Sequence, residues 1–168
     1  VVSSSSGDTT SNAAPLSIAP RVVRVVSQST SSGANSVVPV ELLATGSENG
    51  VDFTLNFDPA QLTFVSAAVG AQAADASLNT NSSQLDAGKL GIALAKPTGA
   101  TWTAGTQEIV KITFTVNASL AGGTVAALTF GDSPILREIS NATAQALPGG
   151  YQGGAITVPT GFEGDMNG

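Results

Sequence analysis

The sequence predicts an all-β fold, an antiparallel sandwich of about eight or nine short strands. Three observations carry this prediction. Apolar and polar residues alternate with period two in several short segments, as half-buried strands require. No stretch of about ten residues or more carries a 3.6-residue apolar repeat, so no amphipathic helix is expected. Clusters of Gly, Pro, Asn and Ser punctuate the chain between the apolar runs, and such clusters favour turns.

In chain order, residues 1–18 are predicted to form a linker or arm. Their Ser/Thr-rich stretch from Ser3 to Asn12 cannot bury enough apolar surface to offset chain entropy. Residues 19–159 make up the sandwich. The run Arg21-Val22-Val23-Arg24-Val25-Val26 is short and β-branched, which favours a strand. Ser27 to Ser36 is turn-rich. A second strand covers residues 37–43, and its Pro39 suggests an edge position or a bulge, because proline has no N–H for a ladder. The clearest segment is Val51-Asp52-Phe53-Thr54-Leu55-Asn56-Phe57, which alternates throughout. Val51, Phe53, Leu55 and Phe57 are predicted to face the core, and Asp52, Thr54 and Asn56 to face out. Asp58-Pro59 starts a turn in which the Asp58 side chain caps backbone N–H groups, and residues 62–65 form the returning strand. One short strand is expected near residues 74–78. Residues 89–95 alternate again, with Leu90, Ile92 and Leu94 inward and a bare outer face of Lys89, Gly91, Ala93 and Ala95. The lone Trp102 falls in a loop. Residues 109–116 form the longest strand, with Val110, Ile112, Phe114 and Val116 on one face. Residues 125–130 and 153–158 are further strands, and residues 135–143 fit a short strand or a helical turn.

Composition removes several function classes. The 168 residues hold no Cys and no His. Cysteine nucleophiles, Ser-His-Asp triads, zinc sites built on either residue and disulfides are therefore excluded. Six basic against twelve acidic residues give a net charge of −6. Nucleic acid is then a poor partner, since that affinity rests on Lys and Arg neutralising phosphates. No apolar run of about 18 residues exists to span a bilayer as a helix. The scarcity of Lys and Glu and the Ser/Thr-rich arm suit an extracellular or cell-surface protein. Asn-x-Ser/Thr sequons stand at Asn81, Asn117 and Asn141.

Carboxylate pairs are the acid–base equipment that remains. Asp52 is expected on an exposed strand face and Asp58 is engaged in its turn, so no catalytic residue is expected. For sugar binding the candidates are Trp102 and Tyr151. A Trp closing the end of the sandwich is the simpler expectation, because Trp is usually highly buried.

Four stretches resemble the cellulosomal cohesin pattern in order and spacing. They are Val37-Val38-Pro39-Val40, the segment from Gly50 through Asp58-Pro59 to Val65, the strand Ile109 to Val116, and Gly153-Gly154-Ala155-Ile156-Thr157-Val158. The resemblance implies a jelly-roll sandwich of about nine strands in a bacterial or archaeal extracellular protein that binds other proteins and catalyses nothing. In cohesins that bind dockerins, one flat sheet face meets a helical partner. The corresponding face here comprises Asp52, Thr54 and Asn56, beside Lys89, Gly91, Ala93 and Ala95. The tail, Phe162 to Gly168, resembles the start of a dockerin calcium loop, with Asp165 and Asn167 at its first and third positions. The sandwich itself is expected to need no cofactor, and calcium is expected only where that loop is completed. Two other functions stay open. One is a structural subunit of a surface assembly or filament. In it, the strand after the arm adds to a neighbouring copy's sheet edge instead of forming the first strand of its own domain. The other is a carbohydrate-binding module that contacts polysaccharide through Trp102 and Tyr151.

Overall fold

The computed structural model describes residues 20–160. The whole of the expected arm, residues 1–18, and the Asp165/Asn167 pair lie outside the described residues. The strands run β1 (Val22–Val25), β2 (Gln28–Ser29), β3 (Asn35–Ala44), β4 (Glu48–Asn56), β5 (Leu62–Val69), β6 (Ser77–Gln84), β7 (Lys89–Ala95), β8 (Gly105–Val116), β9 (Val125–Gly131), β10 (Glu138–Asn141), β11 (Ala146–Leu147), β12 (Gly150–Gln152) and β13 (Gly154–Thr157). They build two sheets. One has the order β12-β1-β3-β8-β5, and the other β11-β10-β4-β9-β13-β2, with β7 on the far edge of β4 and β6 beyond it.

The core forms where the inward faces meet. Val51, Phe53, Leu55 and Phe57 from one sheet, with Leu90, Ile92 and Leu94, oppose Val38, Val40, Leu42, Val110, Ile112, Phe114 and Val116 from the other, all buried. Burying one such side chain contributes about 1.5–3 kcal/mol relative to leaving it in water, so β3, β4, β7 and β8 hold the layers together. Phe114 sits between Phe57 and Phe64, with ring centroids 5.1 and 6.3 Å away.

Several details depart from the sequence expectation. Pro39 is not on an edge, since β3 lies between β1 and β8. The ladder to β1 ends at Val25↔Val40, so the missing N–H falls just past its last rung, and a register shift follows between Val40 and Glu41. The Asp58 turn forms as expected, with the Ala60 N–H donating to Asp58 Oδ1 at 2.8 Å. Yet β5 does not return beside β4. It pairs with β8 in the opposite sheet, so the turn passes from one sheet to the other and delivers Leu62, which is buried, to the second layer. The strand expected near residues 74–78 is shifted and longer, as β6. Residues 135–143 resolve into a loop and β10, which pairs with β4. Strands as short as β2, β11 and β12 carry no readable period and were not anticipated. The sandwich is antiparallel except where the chain ends meet, since β1/β12 and β2/β13 are parallel. β1 forms the first strand of its own domain.

Candidate protein interface

The register between β4 and β7 pairs Gly50 with Ala95, Asp52 with Ala93, Thr54 with Gly91 and Asn56 with Lys89. Directly opposed residues share a face. The expected residues Asp52, Thr54, Asn56, Lys89, Gly91, Ala93 and Ala95 therefore lie on one outer sheet surface. β6 extends it with Ser77, Asn79 and Asn81, opposite Ala95, Ala93 and Gly91. β9 extends it the other way through Thr129, opposite Asn56, and through exposed Val125. The β6 residues escaped sequence reasoning because that strand was placed too early in the chain.

This surface is not the open face that alternation predicts. Residues 132–137, between β9 and β10, cross it. The Ile135 N–H donates to Thr54 Oγ1 at 2.9 Å, and the Thr54 hydroxyl donates to the Ile135 carbonyl at 2.7 Å. Thr54 is consequently 0% exposed. The Ile135 side chain occupies the space above Gly91, where a Cβ would stand 2.8 Å from Ile135 Cγ1. Thr54 and Gly91 were expected to be solvent-facing; both are covered. Alternation says which way a side chain points, and says nothing about a distant segment laid over it.

The loop is clasped at its base. Arg137 Nε and Nη2 donate to the two Asp132 carboxylate oxygens, both at 2.8 Å, and the Arg137 backbone N–H donates to Oδ1 at 3.1 Å. These donors hold the Asp132 carboxyl down to about 2. Leu136 projects from the loop and is 64% exposed. Beside it, Asp52 and Glu138 stand directly opposite each other on β4 and β10. Among the described residues neither is in an ion pair. Burial pushes the Asp52 carboxyl up, the Glu138 charge adds to the rise, and a hydrogen bond from the Leu94 backbone opposes it.

The aromatic candidates have other work. Trp102 is 1% exposed, and its indole N–H donates to the Gln72 carbonyl at 3.1 Å. It belongs to the core, so the exposed sugar contact considered for it is corrected to a core contact. Tyr151 is half-buried. Its hydroxyl donates to the Asp52 carbonyl at 3.0 Å, and its ring meets Phe130 at 5.1 Å. Burial pushes its phenol up, with the Asp52 charge adding to the shift.

One charged residue escaped notice in the sequence. Glu48 has no exposed surface and is ion-paired to Arg21. Its carboxylate accepts from the backbone N–H groups of Thr45, Gly46 and Ser47 and from the Thr45 hydroxyl. Burial alone would raise this carboxyl. The donors, Thr45 foremost and then Arg21, outweigh burial and hold it down to about 2.

The architecture and the surface it presents can be set beside known proteins. The Cohesin domain family model matches residues 22–147. The chain belongs to the cohesin family. Solved cohesins share its fold. A non-cellulosomal cohesin from the archaeon Archaeoglobus fulgidus superposes with a TM-score of 0.70 at 14% identity, covering 86% of this chain and 95% of that one. The seventh ScaB type I cohesin of Pseudobacteroides cellulosolvens gives 0.68 at 21% identity, covering 88% and 97%. The sixth cohesin of Acetivibrio cellulolyticus scaffoldin B, solved in complex with a Cel5 dockerin mutant, gives 0.69 at 18%, covering 83% and 99%. No curated protein sequence matches this cohesin. No helix among its described residues is long and apolar enough to cross a membrane.

Proposed function

We propose that this cohesin domain is a non-catalytic, extracellular protein-recognition module whose dockerin-like partner docks on the outer face of β6, β7, β4 and β9. The family match carries the reading, and the Acetivibrio cohesin captured with a dockerin supports it. The face itself suits a docked helix. Ser77, Asn79 and Ala93 are small or short, so a partner backbone can approach closely. The carboxylates give no acid–base pair in the expected positions, since Asp58 is spent on its turn. The low Lys and Glu content and the Ser/Thr-rich arm support a location outside the cell.

The other readings have less behind them. β1 is already paired on both edges within its own domain, by β3 and β12, which leaves little for strand exchange between copies. Trp102 offers no stacking surface to a sugar. Asp165 and Asn167 supply two side-chain oxygens, whereas calcium takes about six to eight, so these residues alone do not make its site.

The test is calorimetric titration with a panel of calcium-loaded dockerin modules. At least one is expected to bind, with Asn79→Arg on β6 weakening it about tenfold or more by obstructing the face. Silence across the whole panel, or binding indifferent to Asn79→Arg, counts against this surface.

A further inference from the structure

The cover over Thr54 and Gly91 changes what a partner can touch. Both residues lie under Ile135, so the centre of the face is no longer a strand surface. It is the loop, residues 132–137. Ile135 points down into the sheet and Leu136 stands up, the most exposed large apolar side chain among the described residues at 64%. The loop is held at two places, at its middle by Thr54 beneath Ile135 and across its two ends by the Asp132–Arg137 fork. A segment already fixed in this way loses little entropy when a partner arrives.

Charge narrows the partner further. Arg137 is neutralised locally by Asp132. Asp52 and Glu138 face each other with no cation paired to either among the described residues. Lys89 pairs with Asn56, four residues along β4 from Asp52, or about 13 Å at strand rise. The ground next to Leu136 is therefore locally negative. Leu136 and Glu138 are two residues apart in sequence, so their Cα atoms lie within about 7 Å. Side chains three or four positions apart on a helix are about 5–6 Å apart, a comparable spacing.

We propose that residues 132–137 are the recognition element of this cohesin face. Its partner is an amphipathic helix that seats an apolar side chain on Leu136 and, one turn away, a Lys or Arg between Asp52 and Glu138. This rests on the reading that a dockerin-like partner uses this face, and it names the chemistry that partner must carry.

The experiment is selection of a displayed library of dockerin modules, randomised along one helix, against the full chain. Enriched binders are expected to carry Lys or Arg three or four positions from a large apolar residue. Their affinity should fall about tenfold or more with Leu136→Ser and with Glu138→Lys, and hold with Val37→Ser on the opposite sheet, as hot-spot and non-contact positions behave. Added salt should weaken them. Leu136→Ala serves as a second variant, and thermal melts of all variants confirm folding. Binders that ignore Leu136 and Glu138 but fail with Asn79→Arg overturn this inference while leaving the docking face in place. No enriched binder, or binders indifferent to every substitution on the face, overturns both.

Discussion

Glu48 shows how a single residue can hold a charge where no water reaches it. Its carboxylate is surrounded by donors from Thr45, Gly46, Ser47 and Arg21, and paired donors of this kind are what make a buried ion tolerable. With the carboxyl at about 2 in the folded chain against 4.5 ordinarily, Glu48 contributes about 3 kcal/mol of stability above pH 4.5. That contribution should fade as pH falls from 4.5 and be gone below about 2. Glu48→Gln is accordingly expected to cost about 3 kcal/mol at pH 7. Urea denaturation across pH should show the two proteins converging under acid, and a constant gap down to pH 2 would refute the assignment. None of this was legible from the sequence, because Arg21 and Glu48 are 27 residues apart and meet only once β1 and β4 are in place. Asp58 is the opposite case. Its cap on Ala60 is local, and the neighbouring Pro announces it.

At the scale of elements, strands with long alternation were readable and their neighbours were not. β4, β7 and β8 have a period that survives any context, and every residue the pattern points inward is buried. The loop of residues 132–137 has no period. Its position depends on a hydroxyl at Thr54 and on the missing side chain at Gly91, two features that look like ordinary solvent-facing positions in a strand. The expected residues thus share one outer surface, as alternation implies, but its centre is covered instead of open. Thr54→Val tests the attachment. It keeps the shape but strips both hydrogen bonds, leaving the Ile135 N–H and carbonyl without partners, and should cost about 1–3 kcal/mol. Amide exchange at Ile135 should accelerate well before that of Phe53 in β4. Equal protection at Ile135 in both proteins would show that the loop does not depend on Thr54.

For the whole molecule, the decisive arrangement is at the chain ends. The first strands, β1 and β2, leave one sheet for the other, and the last strands, β12 and β13, make the same passage beside them in parallel. Because β1 is already saturated at both edges, removing residues 1–18 should leave the oligomeric state unchanged in light scattering. A drop to a smaller species would restore the strand-exchange reading. The parallel ends also determine how the fold meets tension. A pull applied at Val22 drags β1 backwards, and one applied at Thr157 drags β13 forwards. The paired strands must then slide along one another, so their backbone bonds break together instead of opening one by one. A domain pulled between its two neighbours along one chain would pass that load through its first and last strands, and the proposed docking face on β4 and β7 lies off those strands.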